Sequence, residues 1–276
     1  MLEKFIYINS FNETLDFGKD RIFANENDLR DFAWGITTKN NRISGFKKGI
    51  VQKTIPVLLK CDTEEEGIQL RNMLFEVFEK DVLSKQHGKI KIGDYYLRCY
   101  ITGSKKAEYL LSRKYMKVTL TVQTDFPEWI KETTTNHIMI EDETGDFLDF
   151  PYDFQFDFKN SNFKTSVDNS GFVPCDFIMT IHGEYEVENP TLYIGDHKYS
   201  VNVTVAEHEY LTIDSVHKTI VLHKSNGKQV NCFSNRSRDS YIFEKIPAGT
   251  NNVSSTNRNI KFNITLLEER SEPKWI

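Results

Sequence analysis

The sequence predicts a mainly β protein made of two β-sandwiches, of which only the first carries an α-helix. Three observations support this fold class. The 276 residues include 20 Phe and 12 Tyr, which favour the pleated, half-buried surface of a sheet. Only one segment has convincing helical periodicity, and from residue 137 onward short apolar runs alternate with turn residues. We therefore expect two domains, at 1–134 and 135–276.

The first sixty residues contain two β-rich runs, "KFIYINS" and "TIPVLLKC", with "NNRISGFKKG" predicted as a loop between them. This loop region carries two glycines and four basic residues: Lys39, Arg42, Lys47 and Lys48. One interpretation is a solvated connector between strands. The other is a charged arm that contacts a neighbouring subunit, with these four residues as partner contacts.

A helix is predicted at about 63–87. Thr63 and Glu66 form a capping box, and the acidic residues after Thr63 favour the positive end of a helix. Apolar residues recur on one helical face at Leu70, Leu74, Val77 and Phe78, which predicts packing against a sheet. Gly88 is predicted to end the helix.

Further strands follow the helix in both halves of the chain. "GKIKIGDYYLRCYITG" predicts two strands around a Gly-Asp turn, and "RKYMKVTLTVQTDFPEW" predicts another. Pro127 and the polar run at 131–136 interrupt the pattern, so we place the domain boundary there. Beyond it, "LTIDSVHKTIVL" predicts a hairpin, and Asn226–Gly227 predicts a hairpin turn. About eight to ten strands in this half are typical of an antiparallel β-sandwich.

Composition excludes several classes of function. The net charge of −5 argues against a nucleic-acid-binding protein. No apolar run approaches the roughly 18 residues of a membrane span, and the N-terminus lacks the pattern of a signal peptide. The four cysteines are far apart and predict buried, reduced thiols of a protein made in a cytoplasm: Cys61, Cys99, Cys175 and Cys232.

No catalytic or metal-binding pattern is found. The seven histidines form no His-Glu-x-x-His pair, since His208-Glu209 has no second histidine four residues on. There is no nucleophile elbow, phosphate loop or dinucleotide fingerprint. We therefore expect no cofactor, no metal and no enzymatic activity.

The acidic and aromatic run at 141–158 allows three interpretations. Alternation of Phe with polar residues at 154–158 favours a half-buried strand. Aromatic residues beside carboxylates could instead form a sugar-binding face. A glycoside hydrolase would need two carboxylates flanking the scissile bond, for which Asp149 and Asp153 are the candidates.

Two long segments resemble a known family. The first is Gly88–Trp129 with the capped helix before it, and the second is Asn189–Trp275. In the second segment the order is Asn189-Pro190, "LTID" with its hairpin, the "NGK" turn, "IPAGTNNV" and the closing "ERSEPKW". In this order the chain resembles the distal tail proteins of long, flexible-tailed bacteriophages and related prophages.

The resemblance implies a fold and a function. It implies an N-terminal β-sandwich with one helix, a C-terminal galectin-like β-sandwich, and a hexameric ring at the tail tip. The ring would join the tail-tube protein to the tail-associated fibre or lysin protein and hold receptor-binding proteins, in a virion assembled in the host cytoplasm. Some family members carry an inserted carbohydrate-binding module or a long arm in the C-terminal half, for which this chain has no room.

Two functions therefore remain as hypotheses. The first is the structural ring of a phage tail tip, and the alternative is a carbohydrate-binding adhesin that recognises host cell-wall polysaccharide. In either case the chain ends in "ERSEPKWI" after the predicted last strand of the second sandwich. We expect Trp275 to be at least partly buried, against its own domain or against a neighbour.

Overall fold

The computed structural model describes residues 4–19, 21–24, 26–109, 114–139, 165–257 and 259–275. It is mainly β, with 54% of residues in strands, one α-helix in the described part and several antiparallel sheets. This confirms the predicted fold class. The chain divides into two compact units, one formed by Met1–Lys131 with Glu269–Ile276 and the other by Glu132–Glu268.

The first unit is built from one helix and ten strands, the last of which continues into the second unit. The helix α1 spans Glu64–Ser84. The strands are β1 (Phe5–Ile8), β2 (Thr14–Phe17), β3 (Ile22–Ala24), β4 (Gly35–Lys39), β5 (Arg42–Lys47), β6 (Val51–Lys60), β7 (Gly88–Ile92), β8 (Tyr95–Tyr109), β9 (Tyr115–Thr124) and β10 (Trp129–Met139).

Strand β8 organises the first unit because two sheets share it. Its first half pairs with β7 and its second half with β9, and the register shifts between Ile101 and Gly103. One sheet has the order β2-β1-β7-β8-β10 and the other β3-β6-β9-β8. Alternate residues on β8 and β9 are buried, as predicted, because period-two apolar residues face one core. The helix packs on β8 and β6.

The helix begins as predicted but ends earlier. Thr63 is the N-cap, and its hydroxyl accepts a hydrogen bond from the Glu66 amide at 3.2 Å. The Glu66 carboxylate accepts a hydrogen bond from the Asp62 amide at 2.9 Å. In a standard capping box the donor would be the amide of the N-cap, Thr63, so this bond is shifted by one residue. The helix ends at Ser84 with Lys85 at φ 57°, whereas the predicted end at Gly88 is wrong. Lys85 adopts the left-handed conformation and bonds back to the last turn.

A buried hydrogen-bond cluster joins the end of the helix to the first strands. The Tyr7 hydroxyl donates to Asp81 Oδ2 at 2.5 Å, and the Ser10 amide and hydroxyl donate to Asp81 Oδ1. Burial, together with the bond to Asp81, raises the pKa of the Tyr7 phenol. Gly88 lies against this cluster, since a Cβ there would be 2.3 Å from the Tyr7 hydroxyl oxygen. Gly88 is therefore required by close packing and not by a helix end.

The second unit contains twelve strands when the end of β10 is counted, with a short 3-10 turn at Phe233–Asn235. The strands after β10 are β11 (Thr165–Asn169), β12 (Asp176–His182), β13 (Val187–Glu188), β14 (Thr191–Ile194), β15 (His197–Ser200), β16 (Thr204–Val205), β17 (Tyr210–Asp214), β18 (Thr219–His223), β19 (Gln229–Asn231), β20 (Gly249–Ser255) and β21 (Ile260–Arg270).

Two antiparallel sheets enclose the core of the second unit, in the orders β19-β18-β17-β12-β21 and β11-β20-β14-β15. The predicted hairpin is confirmed as β17–β18, where His223 stacks on Tyr210 at 4.3 Å between ring centroids. The Asn226–Gly227 turn is also confirmed, with Gly227 at φ 81°. All four cysteines are buried, as predicted.

Two details of the predicted division differ in the structure. The polar run at 131–136 does not interrupt the strands, because it forms the middle of β10, where Thr134 and Thr265 hydroxyls bond at 2.9 Å. The last residues, Glu269–Ile276, belong to the first unit instead of closing the second. The acidic and aromatic run at 141–158, with Asp149 and Asp153, lies outside the described residues.

Gly88→Ala should destabilise the first unit by about 1–3 kcal/mol, because the new methyl group overpacks the Tyr7–Asp81 cluster. Urea titration followed by tryptophan fluorescence measures this unit, which holds all three tryptophans. Gly49→Ala is the matched control, since a Cβ at Gly49 meets nothing within 4 Å. Equal midpoints for the two variants would contradict the packing at Gly88.

Stability should fall as the pH drops below about 6.5, because burial lowers the pKa of His87, His137 and His182. Above that pH the histidines are neutral in both states. Below it the unfolded chain binds more protons at these histidines than the folded chain does, so the free energy of unfolding decreases. Urea midpoints between pH 7.5 and 5.5 measure the effect, and His137→Gln should reduce the slope. A flat profile across this range would refute the expectation.

Candidate assembly surface

The predicted basic loop is a β-hairpin, which we call the hairpin arm (residues 35–47). Strands β4 and β5 pair only with each other among the described strands. Asn40 and Asn41 have φ of 51° and 60°, as a two-residue hairpin turn requires. The register shifts at Thr37/Thr38, where the Ser44 hydroxyl donates to the Thr37 carbonyl at 3.1 Å. The prediction of a loop was therefore wrong, because most of these residues form the strand β5.

The hairpin arm has one apolar and one basic face. Ile36 pairs with Phe46 and Thr38 with Ile43, which places Ile36, Ile43 and Phe46 on the same face. Lys39 pairs with Arg42 and Gly35 with Lys47, which places the three basic residues on the opposite face.

The apolar face of the arm is exposed. Ile36, Ile43 and Phe46 are 56%, 58% and 62% exposed, and Trp34 packs edge-on against Phe46. A two-stranded hairpin that buries neither face is marginally stable in water. Exposed apolar patches of this kind are typical of interaction sites. The arm therefore has the properties of a surface that gains stability from a partner.

Lys48 fixes the base of the arm and is not exposed. Its side chain is only 7% exposed, and Nζ lies 2.7 Å from Glu128 Oε1. Nζ also donates to Ser271 Oγ at 2.7 Å and lies 4.3 Å from the centroid of the Trp34 ring. The partner-contact role predicted for Lys48 is therefore replaced by an internal one, because its charge is satisfied within the first unit.

A cavity of about 230 Å³ lies beside this base, next to Lys48 and Lys53, with Leu97 and Trp129 among its lining residues. The Lys53 ammonium is buried and donates to the carbonyls of Asp28 and Asp31 at 2.8 and 2.5 Å. Burial lowers the pKa of Lys53. These contacts hold the segment that leads into the arm.

The C-terminal segment lies against the same base. The Pro273 carbonyl accepts from Arg30 Nη1 at 3.0 Å, and the Arg30 guanidinium covers one face of Trp275 at 4.1 Å. Trp275 is 74% exposed, so the contact with Arg30 covers only a small part of the ring. Burial of Trp275 against a neighbour stays a prediction.

The structure thus brings together four of the five predicted contact residues. Lys39, Arg42 and Lys47 lie exposed on the arm, and Lys48 lies at its base. Trp275 lies on the docked C-terminal segment, which contacts Lys48 through Ser271. Sequence reasoning missed the apolar face of the arm. Two features of the sequence could have predicted this face: the Asn-Asn dipeptide and the alternation of apolar residues on either side of it.

The described residues contain no group of three or more His, Cys, Asp or Glu side chains that could hold a metal ion. In the same part of the chain, no helix is both long and apolar enough to cross a membrane.

The chain shares its fold with known phage proteins. It matches a structure of the SPP1 Dit protein, described as a hub adsorption apparatus in phages that infect Gram-positive bacteria. The TM-score is 0.63, and the identity is 13% over 96% of this chain and 99% of that one.

The chain also matches chains of the phage P2 baseplate in its activated conformation. The match to the calcium form has a TM-score of 0.66 and 13% identity over 99% of this chain and 100% of that one. The match to the strontium form has a TM-score of 0.65 and 12% identity over 98% and 99%. No protein-family model and no curated protein sequence matches.

Lys48→Met should destabilise the first unit by about 2 kcal/mol, since Glu128 and Ser271 lose a charged hydrogen-bond partner. Lys47→Met, one residue earlier and exposed, should change stability by less than about 0.5 kcal/mol. Urea titration followed by tryptophan fluorescence compares the two.

The double variant Lys48→Met/Glu128→Gln should recover part of the loss, because no half-buried carboxylate is then left without its partner. Equal stability of the Lys47 and Lys48 variants would contradict the internal role of Lys48.

Proposed function

We propose that this chain, which has the fold of phage baseplate hub proteins, is a structural protein of a phage tail tip. The observation that carries the proposal is that the match includes both units and nearly the whole chain. A shared fold alone does not establish function, so the role must also agree with the surfaces of this chain.

The proposed role is assembly into a ring of six copies. A ring of identical subunits needs two different complementary surfaces on each copy, so that every contact is head-to-tail and the last closes on the first. The hairpin arm supplies one such surface, since it is a separate two-stranded sheet whose apolar face is exposed. The three basic residues, Lys39, Arg42 and Lys47, give the opposite face of the arm a positive charge.

The base of the arm suits this role. Lys48, Glu128, Ser271 and Trp34 form one contact cluster, so the arm leaves the sheet in a defined direction. A positioned arm loses less conformational entropy on binding than a flexible loop, which favours assembly. Trp275, exposed beside Arg30, provides a further aromatic surface for a neighbour.

In this proposal the ring lies at the distal end of the tail. It joins the tail-tube protein on one side to the tail-associated fibre or lysin protein on the other, and it holds the receptor-binding protein. The chain is made and assembled in the cytoplasm of the host and then forms part of the virion. The role is structural, without a catalytic step, a cofactor or contact with nucleic acid or membrane.

Native mass spectrometry of the purified protein should find a species with six times the 32.2 kDa mass of the chain. Electron microscopy should find six-fold rings with a central opening. A mass of one chain at every concentration, with no rings in the micrographs, would refute assembly into an autonomous ring. A ring with another number of copies would correct the number alone.

A further inference from the structure

The outward face of the helix α1 carries an exposed apolar stripe. Ile68, Phe75 and Val82 follow one another at seven-residue spacing, which places them on one side of a helix of 3.6 residues per turn. They are 47%, 53% and 41% exposed, and Leu83 next to them is 75% exposed. The adjoining side of the helix holds Leu74, Val77 and Phe78, which are buried in the core. The stripe is thus a second exposed apolar surface of the first unit.

The charges around this stripe are mainly negative. Exposed glutamates lie within the same side of the helix, at positions 64, 65, 76 and 79, and Arg71 is the basic residue among them. The hairpin arm has the complementary composition, with an apolar face and the basic residues Lys39, Arg42 and Lys47. The two surfaces also agree in length: the stripe extends for about 21 Å at 1.5 Å per residue, and five residues of β4 extend for about 17 Å.

We propose that the apolar face of the hairpin arm docks on the stripe of α1 in the next copy of the chain. The proposal rests on the proposed ring and names its contact: Ile36, Ile43 and Phe46 pack against Ile68, Phe75 and Val82. The contact is head-to-tail, because the arm and the helix face are different surfaces, and repeating it around an axis closes a ring. The occupant of the stripe is therefore a second copy of this chain.

The basic residues of the arm act at longer range. They lie on the face turned away from the docked side, so they are not buried by the contact. Their attraction to the glutamates of α1 speeds and orients the encounter of two copies, and salt weakens it. The apolar residues supply most of the binding free energy, because their contact removes apolar surface from water.

Two single variants test this contact. Phe46→Asp places a charge on the arm, and Phe75→Asp places a charge on the stripe, at side chains that are exposed in the single chain and tolerate substitution in the fold. Each variant alone should fail to form the ring and should sediment as a single chain in sedimentation velocity. Phe172→Asp is the matched control, because Phe172 is 89% exposed in the second unit, and it should keep the ring.

An equimolar mixture of the two variants gives the decisive result. The intact arm of Phe75→Asp can dock on the intact stripe of Phe46→Asp, whereas the altered arm and the altered stripe cannot extend the assembly. The mixture should therefore form dimers of one copy of each variant and nothing larger. Ile43→Asp with Ile68→Asp forms a second pair for the same test, and far-ultraviolet circular dichroism verifies that each variant is folded.

The possible outcomes separate this contact from the ring itself. Rings from either variant alone, or a mixture without dimers, would overturn the contact while leaving the ring of the unaltered protein in place. A contact of arm with arm would let Phe75→Asp associate on its own, and a contact of helix with helix would let Phe46→Asp associate on its own, so either result would also overturn the proposed contact. An unaltered protein that stays a single chain at all concentrations would refute the ring and the contact together.

Discussion

The ion pair of Lys48 with Glu128 is the interaction on which the proposed function depends. A lysine directly after an exposed strand would normally extend into water. Here its ammonium is almost completely buried, and it joins the arm to the turn before β10 and to the C-terminal segment. A buried charge is costly unless it is paired and hydrogen-bonded, so the contacts of Lys48 must form together. The direction of the arm and the docking of the chain end are consequently coupled.

This coupling explains why the chain returns to its first unit at its end. Strand β21 begins in the second unit, but Arg270 reaches the Tyr95 hydroxyl at 3.4 Å and Ser271 reaches Lys48 at 2.7 Å. The Pro273 carbonyl then accepts from Arg30. Each unit therefore contains residues from distant parts of the sequence. The first unit thus includes a segment, Glu269–Ile276, that follows the whole second unit in the sequence.

The fold is shared with the phage hub and baseplate chains at 12–13% identity, and the structure shows how so little identity suffices. Most core positions require only an apolar side chain of suitable volume at alternate residues, as on β8 and β9. Few positions impose a specific residue. Gly88 is one, since any side chain would meet Tyr7 and Asp81. Position 63 is less strict, since it needs one of the few short polar side chains that can cap a helix. In the proposed ring, the arm is under a different constraint, because its surface has to match that of a neighbouring copy.

The sequence alone determined the features that depend on neighbouring residues. Alternation specified β9, the capping box specified the start of α1, and Asn-Gly specified the β18–β19 turn, because each is decided within a few residues of backbone. The family resemblance added the tail-tip fold, which the structure matches. The prediction that failed concerns a feature decided by a distant partner: the polar run at 131–136 was expected to end a strand, but it lies within β10, where Thr134 bonds to Thr265 of β21.

Only the tertiary structure decided which charges belong to the proposed assembly surface. Lys47 and Lys48 are adjacent and chemically identical in the sequence, yet one is exposed on the arm and the other is buried at its base. Their difference arises from Glu128 and Ser271, which are 80 or more residues away in the chain. The apolar face of the arm likewise emerges from the register of β4 with β5, since pairing across a turn decides which side chains share a face.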